Sequence, residues 1–246
     1  MSGLFTIFKE KLEEMRRRKR IERESARSIF RDSLRIWFDD SGRLRLFYKD
    51  VELTKSCGLS CGILSEGVWH SLTCSGFEFE KVSEYQMRVF VRLSGIPVCQ
   101  EWLIKIDNLQ TISFDINTQL TDVLRIDKVK ANIFFSKAYS RLACPLEDEL
   151  FSQEFSASWN TKDYPHTEGS FIGFVSLKPD YPSISLKSTS GIKNLFSAGN
   201  TDSTLSSRVL EAQVEETDEY LKPGIYEHFK IFIQLYPDKS ALEDIL

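Results

Sequence analysis

The sequence predicts a mainly β protein: a large antiparallel two-sheet β-sandwich preceded by one long N-terminal α-helix. Three observations carry this. Between residues 34 and 236 apolar and polar side chains alternate in short runs, the period of a strand. Turn-forming clusters separate the runs and no helical pattern is interleaved with them, which excludes a doubly wound α/β fold. Aromatic residues make up 12% of the 246 residues, 18 of them Phe, a composition that suits pleated, half-buried surfaces.

The helix is expected over residues 3–35, so that a basic amphipathic segment (1–36) precedes the β-sandwich domain (37–246). No Pro or Gly interrupts Leu4 to Ile36, and good helix formers dominate. Leu4, Phe8, Leu12 and Met15 share one face. The stripe thins at Arg16–Arg20, five consecutive cations. Such a helix is expected to reach past its own domain, toward a protein partner, a second copy or, peripherally, an anionic membrane. Removal of residues 1–32 is then expected to leave the β-domain folded.

The strands follow in order. Leu34 to Phe38, the turn Asp39-Asp40-Ser41-Gly42 and Leu44 to Tyr48 read as a hairpin. Gly58 to Leu64, Ser65-Glu66-Gly67 and Val68 to His70 read as a second. Phe77 to Val82 pairs with Gln86 to Leu93, and Pro97 to Ile106 comes next. In Thr111 to Asn117, Ile112, Phe114 and Ile116 alternate with polar residues, which predicts one wet sheet face. Val123 to Phe135 continues the meander. Residues 138–169 read as a long irregular excursion, and strands resume at Phe171 to Leu177, Ser183 to Leu186, Leu205 to Val214 and Ile225 to Tyr236.

Charge and cysteine usage narrow the function. Residues 1–36 carry eleven Lys/Arg against six Asp/Glu, so the rest of the chain is more acidic than the overall net of −4. An acidic body predicts no nucleic-acid partner. Five cysteines, an odd number, predict free thiols, and Leu4 to Phe8 is too short for a signal-peptide core, so the expected location is cytoplasmic. Cys57 and Cys61 read as small core residues. No Cys/His spacing suits zinc, so no metal and no cofactor are expected.

The excursion is the place to look for a ligand, because long irregular segments in compact domains are often functional. Trp159, Asp163, Tyr164 and His166 put an aromatic platform, a carboxylate and an imidazole on one loop, the groups that stack on and hydrogen-bond to sugars. Asn200 and Asp202, near a turn, and Arg208 are the other candidate ligand contacts. Arg208 and Glu211 differ in strand parity and are expected on opposite faces.

Four stretches are similar to the galactose-mutarotase-like β-supersandwich of carbohydrate-active enzymes and accessory domains. They are Gly58-Leu59-Ser60-Cys61-Gly62-Ile63-Leu64 with Trp69; Cys99-Gln100-Glu101-Trp102-Leu103-Ile104; Asn200-Thr201-Asp202 with Arg208-Val209-Leu210; and Leu221-Lys222-Pro223-Gly224-Ile225-Tyr226. The resemblance spans residues 34–236 and implies an oligo- or polysaccharide partner. Mutarotase chemistry sets a His acid and a carboxylate base about a sugar's anomeric centre. His166 and Glu211, with Asp163 as the other carboxylate, stand in about that order, but outside any motif matched residue by residue. The expectation is therefore a carbohydrate-binding or carbohydrate-processing accessory protein of polysaccharide or glycoconjugate metabolism, without catalysis of its own. The alternatives are a sugar-ring enzyme (epimerase, mutarotase or lyase) and an interaction protein that docks through its N-terminal helix.

Overall fold

The computed structural model describes residues 14–16, 24–71, 76–146, 149–155, 171–176, 178–188, 194–200, 207–215 and 220–238. Their strands form two large antiparallel sheets packed face to face. Across the first sheet run β1 (Ser28–Arg31), β2 (Leu34–Phe38), β3 (Leu44–Tyr48), β5 (Thr54–Ser65), β12 (Lys128–Ser136), β18 (Ser207–Glu215) and β17 (Asn194–Asn200). Two short strands sit beside them, β4 (Val51–Glu52) on β3 and β6 (Val68–Ser71) on β5. The second sheet begins with β14 (Glu149–Glu154), β13 (Tyr139–Leu146), β15 (Phe171–Ser176) and β16 (Ser183–Ser188). It continues through β20 (Gly224–Tyr236), β10 (Thr111–Leu120), β9 (Val98–Ile106), β8 (Gln86–Arg92) and β7 (Gly76–Lys81). A small ladder joins β11 (Leu124–Arg125) to β19 (Tyr220–Leu221).

Alternation decides which side chains meet. In β10, Ile112, Phe114, Ile116 and Leu120 are buried, while Thr111, Ser113, Asp115 and Asn117 are half-buried on the outer face. In β12 the buried set is Val129, Ala131, Ile133 and Phe135. The inner faces of both sheets fuse into one core that includes Phe38, Trp102, Phe114, Phe135, Tyr139, Phe174, Phe196 and Phe229. Aromatic edges meet faces in it, as where Trp102 and Phe114 lie 5.8 Å apart.

The expected N-terminal helix is corrected at its C-terminal end. Residues 14–16 and 24–26 are helical, but Ser28–Arg31 and Leu34–Phe38 are strands that pair with each other, Ser28 opposite Trp37 and Arg31 opposite Leu34. Asp32, at φ 50°, helps make the tight turn between them. Ile29, Leu34, Ile36 and Phe38 are buried. Local helix propensity is weak, and burial of these side chains against the second sheet outweighs it. The β-domain therefore starts before residue 37, and a deletion through residue 32 removes a strand from the sheet. The rest of the expected helix, Arg17–Arg20 included, lies outside the described residues.

The excursion over 138–169 is also corrected in its first half. β13 and β14 form a hairpin, Arg141 opposite Glu154 and Leu146 opposite Glu149. Pro145 and the acidic run Glu147-Asp148-Glu149 disguise it in the sequence. Pro145 falls past the last β13–β15 pair, Ala143 with Gly173. The strand β17 is likewise absent from the sequence reading, which had Asn200 as a candidate ligand contact near a turn. Among the described residues, no helix is long and apolar enough to cross a membrane, and Cys57, Cys61 and Cys99 are free thiols.

Candidate functional site

The outer face of the first sheet carries an open depression of about 600 Å³, lined by residues of β5, β6, β12 and β18 and by the turn before β3. Its floor is the outward parity of three strands in register. Gly62 of β5 lies opposite Lys130 of β12, and Ser60 opposite Asn132. Asn132 in turn lies opposite Glu211 of β18, and Glu211 opposite Ser197 of β17. The inward partners on the same strands, Cys61, Ile63, Ala131, Ile133, Leu210 and Ala212, are all core.

One flank of the depression carries a charged pair. Lys130 Nζ donates to Glu211 Oε1 at 2.8 Å, and Ser197 Oγ donates to the same oxygen at 3.4 Å. Lys130 is diagonal to Glu211 on the adjacent strand and Ser197 is directly opposite it, both within reach of its side chain. Beside them, Asn132 Oδ1 is buried and, among the described residues, has no hydrogen-bond partner.

The other flank holds Trp69 and Arg43. Trp69 is 47% exposed, unusual for so large an apolar side chain. Its ring folds back over Gly62, with Cε3 3.5 Å from where a Cβ would stand. A Cβ here would rest in ordinary contact with the indole and press more closely on the His70 carbonyl oxygen, at 3.2 Å. Lys130 Nζ is 5.5 Å from the Trp69 ring centroid, a cation–π contact that links the two flanks.

Backbone irregularities shape the rim. β5 bulges between Thr54, opposite Phe135, and Leu59, opposite Ile133. Ser56 and Gly58 have φ of 51° and 64° there. A Cβ on Gly58 would lie 2.0 Å from the Leu44 carbonyl oxygen, so only glycine permits β3 to approach. The bulge turns Cys57 toward the depression. The rim itself is the turn over residues 39–43, organised by Asp39. Its Oδ1 accepts from the Ser41 and Arg43 amides and from Ser41 Oγ, and its Oδ2 accepts from Arg45 Nε. Burial would raise the Asp39 pKa, but these hydrogen bonds and the Arg45 charge outweigh it and hold it below its ordinary value.

Of the sequence candidates, Glu211 lies in the depression. Arg208 and Asn200 are cross-strand partners, and Arg208 is on the opposite parity from Glu211, as its position in the strand predicts. Arg208 Nε donates to the Tyr139 carbonyl at 3.2 Å, and its guanidinium lies 4.4 Å from the Phe155 ring centroid. It ties one sheet to the other, away from the depression. Trp159, Asp163, Tyr164, His166 and Asp202 lie outside the described residues. Trp69, Lys130, Asn132 and Arg43 were not singled out as site residues from the sequence. A signal for Lys130 and Asn132 was present, since both sit on the polar parity of a strand. Nothing local showed that three strands would set that parity beside an exposed Trp.

The chain resembles part of a bacterial glycosidase. The solved structures of alpha-N-acetylgalactosaminidase NagBb from Bifidobacterium bifidum, one a complex with GalNAc and one with Gal-NHAc-DNJ, match 89% of this chain at 12% identity. The TM-scores are 0.63 and 0.65. The match covers 37% of the NagBb chain, so this protein spans little more than a third of that enzyme's length. At that identity the likeness establishes the β-sandwich fold. No protein-family model matches the sequence, and no curated protein sequence matches it.

Proposed function

We propose that the protein is a carbohydrate-recognition unit of the galactose-mutarotase-like kind, acting in polysaccharide or glycoconjugate metabolism, and that the depression on the first sheet holds the sugar. The observation that carries this is the exposed Trp69 ring set across the floor from Lys130, Asn132 and Glu211. A pyranose offers a C–H face that stacks on an indole and a rim of hydroxyls that pair with charged and amide groups. The fold shared with part of a glycosidase solved in complex with GalNAc and with Gal-NHAc-DNJ supports a carbohydrate context. Trp159, Tyr164 and His166 are proposed to add ligand contacts.

A second reading, a sugar-ring enzyme, is favoured by one fact: Glu211, the carboxylate expected of such chemistry, faces the depression. Its pairing with Lys130 and Ser197 suits a structural or binding role better, since no described acid stands across from it. Glycan-array binding followed by titration tests the proposal. Binding to at least one glycan is expected, weakened about tenfold or more by Trp69→Ala, as loss of one aromatic stacking contact implies. Array binding that survives Trp69→Ala unchanged places the site elsewhere. Turnover of the bound glycan that Glu211→Gln abolishes would establish the enzyme reading instead.

A further inference from the structure

We infer that the depression selects an anionic sugar, one bearing a carboxylate or a sulfate, and that Arg43 reads its charge. This rests on the carbohydrate reading above and names the ligand class for the same site.

The inference starts from uncancelled charge. Among the described residues the depression is lined by two cations, Arg43 and Lys130, and one carboxylate, Glu211. Glu211 is engaged by Lys130 at 2.8 Å. The carboxylates near Arg43 are engaged elsewhere. Asp40 pairs with Arg27 at 2.8 Å, and Asp39 and Glu52 both pair with Arg45. Among the described residues the Arg43 side chain makes no ion pair or hydrogen bond; only its backbone is held, by Asp39. An exposed guanidinium left unpaired beside two acidic residues follows from how the turn is wired, because Asp39 is committed to the Ser41 and Arg43 amides and to Arg45, and Asp40 pairs at the surface with Arg27.

Placement then gives the cation a use. Leu44 pairs with Leu59 and Ser71 with Gly62, so the start of β3 and the end of β6 flank the same edge of β5. Arg43 shares the outward parity of Arg45, and it lines the depression on the Trp69 side. Lys130 faces it from β12, on the other edge of β5. Two strand spacings separate their backbones, about 10 Å, a gap that two long cationic side chains close from both sides. An ammonium has three donors and Glu211 accepts one, so Lys130 keeps donors for a ligand. The planar fork of Arg43 matches a carboxylate or sulfate with two parallel hydrogen bonds. A sugar ring on Trp69 with its acidic substituent toward Arg43 uses every group on both flanks.

The test is calorimetric titration of the full chain with matched oligosaccharides: uronates and their carboxyl-reduced forms, and sulfated galacto-oligosaccharides and their desulfated forms. At low ionic strength an acidic member is expected to bind about tenfold or more tighter than its neutral counterpart, the scale of one charge-assisted bidentate contact. Which acidic arm shows this gap tells carboxylate from sulfate. Arg43→Gln is expected to lower binding of the acidic member about tenfold or more and so erase the gap, and added salt to narrow it. Equal binding of acidic and neutral members, or a gap that Arg43→Gln leaves intact, overturns the inference while the carbohydrate reading stands. No binding by any member overturns both.

Discussion

The two faces of the first sheet are built from the same strands and do opposite work. On the inner face Cys61, Ala131, Ile133, Leu210 and Ala212 are sealed into the core. One residue along each strand, Ser60, Gly62, Lys130, Asn132 and Glu211 line an open depression. Polar groups also meet across the core: on the second sheet, Gln100 Nε2 donates to Cys61 Sγ of the first, and Trp102 Nε1 donates to Gln100 Oε1. Burial pushes the Cys61 thiol up to about 12, despite the Gln100 hydrogen bond, so this sulfur is inert, unlike a thiolate poised for chemistry. The outer face keeps charge and an exposed indole, groups that a sheet serving only stability would not need. A period of two residues is enough to separate stability from recognition.

The sharpest way to break this division is at Gly58, where the two faces depend on one backbone. Gly58→Ala puts a methyl into the Leu44 carbonyl at positive φ. It is expected to cost about 3–5 kcal/mol, because strain adds to a clash that only backbone movement relieves. Chemical denaturation reads this as a large fall in midpoint, and an unchanged midpoint would show that β3 and β5 do not need their close approach.

Leu210 and Glu211 make the next comparison, as neighbours on β18 with opposite parity. Leu210→Ala opens a core cavity and is expected to cost about 2–5 kcal/mol with little effect on ligand affinity in the protein that remains folded. Glu211→Gln is expected to cost less than about 1 kcal/mol, since the Lys130 pair is partly exposed, yet to change glycan binding. If both variants lose stability alike and neither alters binding, the outer face is an ordinary solvated surface.

A smaller effect sharpens the role of the rim. The folded pKa of Asp39 is lowered, so its contribution to stability is fully present above the unfolded value of 3.8 and disappears as pH falls through the folded value. Asp39→Asn is expected to lose about 1–3 kcal/mol at neutral pH, the range for hydrogen bonds to a charged group, and to flatten the acid limb of the stability curve below about pH 4. Denaturant titrations of both proteins across that range check it. Parallel curves for the two proteins would mean that the carboxylate does not organise the turn.

The sandwich was legible because alternation is local. Ile112, Phe114 and Ile116 announce their burial within seven residues, and the turn at Asp39–Gly42 announces the hairpin around it. The same reading failed at Ser28–Arg31, where helix-forming neighbours masked a strand that exists because Ile29 finds the second sheet. It failed at Tyr139–Glu154, where a proline and an acidic run imitated a loop. For the site, sequence reasoning reached Glu211 and set Arg208 on the opposite face by strand parity, where the structure has it paired with Asn200, but it singled out none of the other groups that line the depression. Trp69, Lys130 and Arg43 stand 61 and 26 residues apart along the chain, and no local pattern relates them.

By itself the sequence determined the period, and with it the mainly β class, most strand positions and which parity of each strand is wet. Those are short-range consequences of side-chain polarity and backbone geometry. Only the tertiary structure decided which wet parities become neighbours. Strand order places β12 between β5 and β18, register sets Lys130 beside Gly62 and Asn132 beside Glu211, and the bulge at Gly58 brings the Arg43 turn to the edge. Each depends on pairing between segments far apart in the chain, whose free energy comes from burying the opposite face, so the site is a by-product of how the core closes.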